Sequence, residues 1–273
     1  MAAATIPDEE ELARAGLRLD IDNGVATITL ARPERRNAMT GRTWTTLAHV
    51  GHSLPASVRI AVIKGEGPSF SAGIDLGMFS PEGVEGERSL MGDFDGTPES
   101  RSALDEAIAG FQEGFLWLRR PDIVSVAAVH GHAIGAGFQL ALACDMRALA
   151  QDARFRMAET SLALGLVPDL TGTKPLVDAV GLNRAIELCL TARTISAAEA
   201  RELRLAELVV DGAELDQTVD DLVAALLATP AAAAAATKGL LQQAAESSLH
   251  DQAAAERSAQ IDRLADLAAQ MRP

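Results

Sequence analysis

Short apolar runs alternate with segments of helical period through about residue 180, and this alternation limits the possible folds more than any other feature. Residues 58–65 and 123–131 are two such runs, and each ends at a glycine. Residues 17–30 alternate apolar and polar side chains around Asn23-Gly24, a pattern that predicts a β-hairpin. Strands separated by helical segments are typical of βα crossover units. The sequence therefore predicts an α/β fold.

The helical segments indicate how the chain is organised. Thr40 is a suitable N-cap for the helix that follows it, and Pro121 ends a later helix. Residues 80–103 are rich in Gly, Glu, Ser and Asp with weak periodicity, which predicts a mobile loop or a poorly ordered helix. Beyond residue 181 the pattern is helical apart from short connections. We expect an N-terminal extension at 1–16, a core at 17–181 and a helical C-terminal subdomain at 182–273.

Charge and composition argue against several classes of partner. The 273 residues carry a formal net charge of −14, which disfavours nucleic acid and anionic membranes. Aromatic residues make up only 3%, with no Tyr, so platforms for stacked bases are not expected. The acidic N-terminus lacks the pattern of a signal peptide, and His, Gln and Gly interrupt the longest apolar run, 125–144. Cys144 and Cys189 form no C-x-x-C pair, which indicates reduced thiols and a cytoplasmic location.

The stretch HGHAIGAGFQLALACD, residues 130–145, places Gly135, Ala136 and Gly137 directly before an apolar helical run. Small residues there allow a ligand to approach exposed backbone N–H groups, where the helix dipole favours negative charge. The same residues also suit close packing of a helix on a strand. The stretch does not fit the dinucleotide pattern G-x-G-x-x-G, and no Walker lysine follows it. An anion site and close packing therefore remain the two interpretations of this stretch alone.

Six motifs follow one another along the chain: RPERRNAM, FSAGIDL, HGHAIGAGFQLALACD, ARFRMAET, GLVPDLTGT and LTARTISAAEARELRLAELVV. In this order they resemble the crotonase family, the enoyl-CoA hydratase/isomerase superfamily, over residues 17–265. The resemblance implies an α/β fold of the crotonase type, a stacked ββα superhelix with a helical C-terminal trimerisation part. It also implies homotrimers, or hexamers built as dimers of trimers, and acyl-CoA thioesters as substrates.

The resemblance further implies an oxyanion hole, a pair of backbone N–H groups that bind a negative oxygen. In crotonase-type enzymes this oxygen belongs to the enolate that forms when the α-carbon of a CoA thioester loses a proton. By motif matching, the donors here are the N–H groups of Ile74 and Ala136. Family members usually carry Gly at the second position, and Ala136 preserves the donor if its backbone conformation suits alanine.

Three polar residues are the candidate catalytic groups. Gln139 stands where a family hydratase carries the first of two glutamates, Glu159 matches the second, and Asp169 matches an aspartate of dienoyl-CoA isomerases. An amide positions water but exchanges no proton near neutral pH, whereas one carboxylate suffices to move a double bond. We therefore expect double-bond isomerisation, with trans-2-enoyl-CoA hydration or non-catalytic acyl-CoA binding as alternatives. Asp169 as a helix N-cap and Glu159 as a surface residue are the structural alternatives.

CoA carries phosphates, so basic residues are expected along its path. The expected CoA-binding residues are Arg35, Arg36, Lys64, Ala72, Asp75 and Lys238. Each basic member of this set is also compatible with an ordinary solvated surface charge. His49 and His52 form an H-x-x-H pair without a third His or Cys at ligand spacing. We therefore expect no metal, and no cofactor besides the CoA of the substrate.

Overall fold

The computed structural model describes residues 5–84, 86–161 and 165–271. The strands are β1 (Leu17–Asp22), β2 (Val25–Leu30), β3 (Ile60–Gly65), β4 (Val124–Val129), β5 (His132–Ile134), β6 (Met146–Ala150), β7 (Arg154–Arg156), β8 (Ile195–Ser196) and β9 (Leu208–Val210). The helices are α1 (Glu9–Arg14), α2 (Gly41–Ser53), α3 (Pro98–Leu116), α4 (Ala136–Ala143), α5 (Thr173–Val180), α6 (Leu182–Thr191), α7 (Ala197–Glu202), α8 (Leu215–Leu227), α9 (Ala231–Ala244) and α10 (Leu249–Gln270). Short 3-10 turns occupy Pro33–Arg35, Leu76–Phe79, Trp117–Arg119 and Gly212–Glu214.

In the described part of the chain, the larger sheet has the strand order β1-β2-β3-β4-β6-β9. The first pair is antiparallel and the remaining pairs are parallel. Asn23 and Gly24 connect β1 to β2, and both have the positive φ that a two-residue hairpin turn requires. The predicted hairpin and the predicted α/β class are therefore confirmed. A smaller sheet, β5-β7-β8, carries the strand that leads into α4.

The larger sheet is covered on both faces, as parallel sheets usually are. Successive side chains of a strand point to opposite faces, so Ala61 and Ile63 of β3 face one core while Ile60 and Val62 face the other. The first core also contains buried side chains of α2 and α4, and the second contains those of α8. Side chains of β3 two residues before or after Val62 therefore point to the second core, on the face of the sheet opposite α4.

Helices α2 and α3 pack together beside the first core. Thr40 and Thr43 form a capping box at the start of α2, which confirms the predicted N-cap. Trp44 of α2 meets the ring of Phe111 edge-on at 5.2 Å between centroids. Trp117, just after α3, packs so closely on Gly51 of α2 that a Cβ there would lie 2.2 Å from its ring. Both tryptophans are buried in this helix pair.

The structure departs from the predicted elements in two places. Strands β8 and β9 follow residue 182 and pair with β7 and β6, so the helical interpretation of these segments was wrong. Strands of two or three residues are too short to show a period in sequence. The helix α3 begins at Pro98, inside the predicted loop 80–103, because Thr97 caps its first turn. Residue 85 of that loop lies outside the described residues.

The division into an extension, a core and a C-terminal subdomain stays a prediction, and its residues 1–4 and 272–273 lie outside the described part. Across the described residues, no single helix is both long and apolar enough to span a membrane. Two consecutive helical segments, Gly212–Leu227 and Ala231–Ala244, are long and apolar enough for a span only when they are counted together, and they meet at a bend of 102°.

Candidate active site

The loop that follows β3 lies directly against the start of α4. Gly73 has a φ of 92°, and a Cβ at this position would lie 2.5 Å from the carbonyl oxygen of Ile134. The same hypothetical Cβ would be 3.5 Å from the backbone nitrogen of Ala136. Only glycine allows this approach without strain. This contact places the loop that carries Ile74 against the start of α4, which carries Ala136, so the two predicted oxyanion donors lie on adjoining segments.

The N–H groups of Ile74 and Ala136 have no acceptor among the described residues. Ala136 is the first residue of α4, and its N-cap, Gly135, has no side chain to accept from the helix. The start of the helix thus presents an unpaired donor together with the positive end of its dipole. Ala136 lies within a regular helix, a conformation that alanine adopts readily. Both donors are available to a negatively charged oxygen.

Glu159 is buried beside these donors, with only 7% of its surface exposed. Its Oε1 accepts a 2.6 Å hydrogen bond from Nε2 of Gln139, and it lies 3.2 Å from where a Cβ of Gly135 would be. Its Oε2 has no partner among the described residues. Burial raises the pKa of the Glu159 carboxyl, and the charge of Asp169 raises it further, against the hydrogen bond from Gln139. The surface interpretation of Glu159 is therefore wrong.

Gln139 is buried in the first turn of α4, and both ends of its amide are engaged. Its Oε1 accepts from the backbone N–H groups of Leu170 at 3.0 Å and Gly172 at 3.1 Å. Its Nε2 donates to Glu159, as described above. An amide oxygen has two lone pairs, so Oε1 is saturated. Gln139 therefore has no acceptor left to orient a water molecule.

Asp169 is exposed on the loop of Leu170 and Gly172, whose backbone donates to Gln139. Its backbone carbonyl accepts from Nε2 of Gln112 at 2.7 Å. Although the residue as a whole is exposed, the protein atoms around its carboxyl desolvate that group and raise its pKa. The N-cap of α5 is Gly172, without a side-chain cap, so the N-cap interpretation of Asp169 is wrong. Asp169 is close enough to Glu159 for its charge to act on the Glu159 pKa.

Four of the six expected CoA-binding residues, Arg35, Arg36, Ala72 and Asp75, lie on loops next to the paired donors. The backbone N–H of Ala72 donates to the carbonyl of Arg36 at 2.8 Å, which holds the loop of Arg35 and Arg36 against the oxyanion loop. Asn37 reinforces this contact by donating to the carbonyl of Ser69. Both arginines are exposed. Their position suits a phosphate-bearing ligand.

The structure assigns Asp75 and Lys64 to other contacts. Asp75 pairs with Arg32 at 3.0 Å and accepts from the N–H of Gly77, so its carboxyl fixes the loop itself. Lys64 lies two residues after Val62 in β3 and therefore points to the face covered by α8, where its Nζ is 3.7 Å from Asp216. Within this chain, Lys64 is on the opposite side of the sheet from Glu159.

Lys238 of α9 is also placed away from the paired donors. Its Nζ donates to Oδ2 of Asp145 at 2.6 Å and to the carbonyl of Ile123 at 2.5 Å. Burial lowers the pKa of Lys238, while Asp145 opposes that change. The side chain is only 11% exposed, so in this chain it anchors α9 to the core and does not extend toward solvent.

The two histidines of the H-x-x-H pair, His49 and His52, each face a glutamate of this chain. His49 lies 3.0 Å from Glu11, and His52 lies 3.8 Å from Glu113. Among the described residues, no group of three or more His, Cys, Asp or Glu side chains is arranged to hold a metal ion.

The backbone donors of Leu170 and Gly172 were missed by the sequence interpretation, since their function depends on a loop closing on Gln139. The glycine in the TGT sequence is the one local signal for such a close approach.

A mostly parallel sheet, two N–H donors on neighbouring segments, one of them at a helix start, and a buried carboxyl beside that helix start define an enzyme of the crotonase class. The chain matches the family model described as enoyl-CoA hydratase/isomerase over residues 20–271, and it belongs to that family. The sequence resemblance and the predicted crotonase-like fold are confirmed.

Individual relatives agree with this assignment. A Rhodobacter capsulatus protein named as an enoyl-CoA hydratase is 35% identical over 81% of this chain and 79% of its own length. A peroxisomal Delta(3,5)-Delta(2,4)-dienoyl-CoA isomerase of Arabidopsis thaliana is 30% identical over 85% of this chain and 82% of its own. A Thermobifida fusca YX protein described as an enoyl-CoA hydratase, solved with acetoacetyl-CoA, is 64% identical with a TM-score of 0.91 and covers 96% of this chain and 100% of its own.

Proposed function

We propose that the protein isomerises the double bond of an enoyl-CoA thioester, converting a 3-enoyl-CoA into its conjugated 2-enoyl isomer. The acetoacetyl-CoA bound by the Thermobifida fusca relative supports an acyl-CoA ligand for this chain. The N–H groups of Ile74 and Ala136 would hold the thioester oxygen. Arg35, Arg36 and Ala72 are the proposed contacts of the CoA portion.

The reaction needs one base that takes a proton from C2 and returns it at C4. Oε2 of Glu159 is the atom suited to this task, because it is buried beside the donors without a partner among the described residues. As the proton leaves C2, negative charge develops on the thioester oxygen, and each N–H donor stabilises it by about 3–4 kcal/mol. The protonated carboxyl then transfers the same proton to C4. Atoms and charge are conserved without a cofactor.

One observation carries the choice of isomerisation over hydration. Among the described residues, Glu159 is the one carboxyl buried beside the donors, whereas residue 139 is an amide whose oxygen already accepts two backbone N–H groups. Hydration requires an activated water and a proton donor together, and this amide can supply neither. A proton shift along the acyl chain requires only the one carboxyl.

Hydration of a trans-2-enoyl-CoA is the second candidate. Relatives named as hydratases favour it, among them the Rhodobacter capsulatus protein. Asp169 would then supply the second acidic group, since its charge acts on Glu159. Hydratase names are the more frequent among the relatives, and the dienoyl-CoA isomerase of Arabidopsis thaliana is one relative that supports isomerisation.

The two reactions change conjugation in opposite directions, so absorbance near the enoyl-thioester band separates them. We expect a 3-enoyl-CoA to gain this absorbance and crotonyl-CoA to keep it, and a dienoyl-CoA should be tested alongside them. Loss of the crotonyl-CoA absorbance, without turnover of the 3-enoyl substrate, would make the protein a hydratase. Tight acyl-CoA binding by calorimetry without turnover of any of the three would support the binding-protein alternative.

We further propose a homotrimer, or a hexamer formed from two trimers. Four large apolar side chains of the C-terminal helical segment are each more than half exposed in the single chain: Ile261, Leu264, Leu267 and Met271. Their spacing of three and four residues puts them on one side of the helix, a pattern typical of a buried contact. Light scattering after size exclusion should give three or six times the chain mass, and a monomeric mass would contradict the proposal. Cytoplasmic location and independence of metals and cofactors stay predictions.

A further inference from the structure

We propose that Gln139 is a positioning residue, which fixes Oε1 of Glu159 and so leaves Oε2 as the oxygen that carries the proton. The inference deepens the proposed function and rests on it for the reaction that this oxygen serves. Its structural part concerns only the three segments that meet at Gln139. These are the first turn of α4, the buried Glu159 and the backbone of residues 169–172.

The orientation of the amide follows from its neighbours. Two backbone N–H groups, those of Leu170 and Gly172, point at one end of the amide, and only its oxygen can accept from them. The nitrogen must then face Glu159, to which it donates at 2.6 Å. A flipped amide would place N–H against N–H at one end and two acceptor oxygens together at the other. The loop thus selects which end of Gln139 meets the carboxyl.

The loop itself is built around this side chain. A Cβ on Gly172 would lie 2.6 Å from Cγ of Gln139 and 2.9 Å from its Oε1, so the backbone approaches as closely as it can. Thr171, between the two donors, has a φ of 65°, which is a strained conformation for a threonine. Strain of this kind persists only where surrounding contacts enforce it. The two hydrogen bonds to Gln139 are such contacts.

The consequence for Glu159 is electrostatic. Burial favours the protonated carboxyl, which cannot accept a proton from a substrate, and a hydrogen bond to the ionised form opposes that tendency. Gln139 supplies this bond without adding charge. A glutamate at position 139 could keep the two loop contacts, but it would set a second carboxyl 2.6 Å from the first, and the two would share a proton. The amide therefore favours the ionised form of Glu159 without placing a second titratable group beside it.

The test measures the titration of Glu159 directly, together with the pH profile of kcat/KM. In the full-length protein with ¹³C-labelled glutamate, the Glu159 carboxyl resonance is identified by its loss in Glu159→Gln. We expect Gln139→Met to move its midpoint upward by about one pH unit or more, as loss of a hydrogen bond to a charged group implies. Gln139→Glu, which retains the loop acceptor, should titrate in two coupled steps. The matched control is Gln112→Met, which removes an amide contact to the carbonyl of Asp169 without touching Glu159, and its midpoint should stay at the wild-type value.

Equal midpoints in wild type and Gln139→Met would overturn the positioning role, as would an equal upward shift in Gln112→Met. If Gln139→Met does not fold, a single unshifted step in Gln139→Glu overturns it instead. A shifted midpoint without turnover of a 3-enoyl-CoA supports the positioning role and rejects the proposed reaction. With turnover, the acid limb of kcat/KM should move to higher pH by the same amount as the resonance. The two parts of the proposal are therefore separated by one set of variants.

Discussion

Replacing Glu159 with glutamine is expected to lower kcat for isomerisation of a 3-enoyl-CoA by about 10²–10⁴-fold, with little change in acyl-CoA binding. The substitution keeps the size of the side chain and removes its capacity to accept a proton. Its amide oxygen can still accept from Nε2 of Gln139, so the packing around the site should survive. The measurement is steady-state absorbance of the conjugated product, with calorimetry for the binding of acyl-CoA.

The matched control is Glu113→Gln, at an exposed glutamate of α3 that faces His52. It should retain wild-type turnover. In the wild-type enzyme, burial raises the pKa of Glu159, and the base must be ionised to act. We therefore expect kcat/KM to fall as the pH drops through a value above that of an exposed glutamate, and this limb should vanish in Glu159→Gln. Wild-type turnover in Glu159→Gln would show that another group is the base, and Asp169 would be the first to test.

Replacing Ala136 with proline is expected to lower kcat by at least about 10²–10³-fold, because it deletes one N–H donor of the oxyanion hole and sets the proline Cδ where that N–H pointed. Position 136 is the first residue of α4, where proline suits the helix and costs no intrahelical hydrogen bond. The preceding residue, Gly135, is less restricted by a following proline than other residues are. The effect should be measured as single-turnover isomerisation, so that binding and chemistry are resolved.

Two control variants test whether proline at a helix start, or loss of the side chain at position 136, explains the effect. Leu182→Pro introduces proline at the first position of α6, again after a glycine N-cap, and should leave turnover unchanged. Ala136→Gly retains the N–H and should turn over at nearly the wild-type rate. If Ala136→Pro matched Ala136→Gly in kcat while both were folded by circular dichroism, the N–H of Ala136 would have no part in the reaction.

Much of the site could be predicted from the sequence because it is built from local motifs. Gly73-Ile74 and Gly135-Ala136 each define a backbone conformation within a few residues, so motif matching pointed to two N–H groups that the structure then brings to neighbouring segments. Gln139 and Glu159 were both named as candidates from the sequence. Only the structure shows that Nε2 of Gln139 lies 2.6 Å from Oε1 of Glu159.

The long side chains were harder to place, since their direction depends on tertiary packing. Lys64 follows the pleat of β3 to the face covered by α8, and the phase of that pleat cannot be read from a buried apolar run. Asp75 is taken up by Arg32, which is 43 positions away in sequence. Lys238 pairs with Asp145 because α9 returns to the core, a contact that no local pattern encodes.

The packing of α2 against α3 gives the protein a built-in optical signal. The sequence contains two Trp and no Tyr, so its near-ultraviolet emission comes essentially from Trp44 and Trp117. Both indoles are buried in the same helix pair, one beside Phe111 and the other on Gly51. A shift in emission wavelength therefore reports solvent entering that pair. Unfolding that begins in the C-terminal helices should be spectrally silent until it reaches the core.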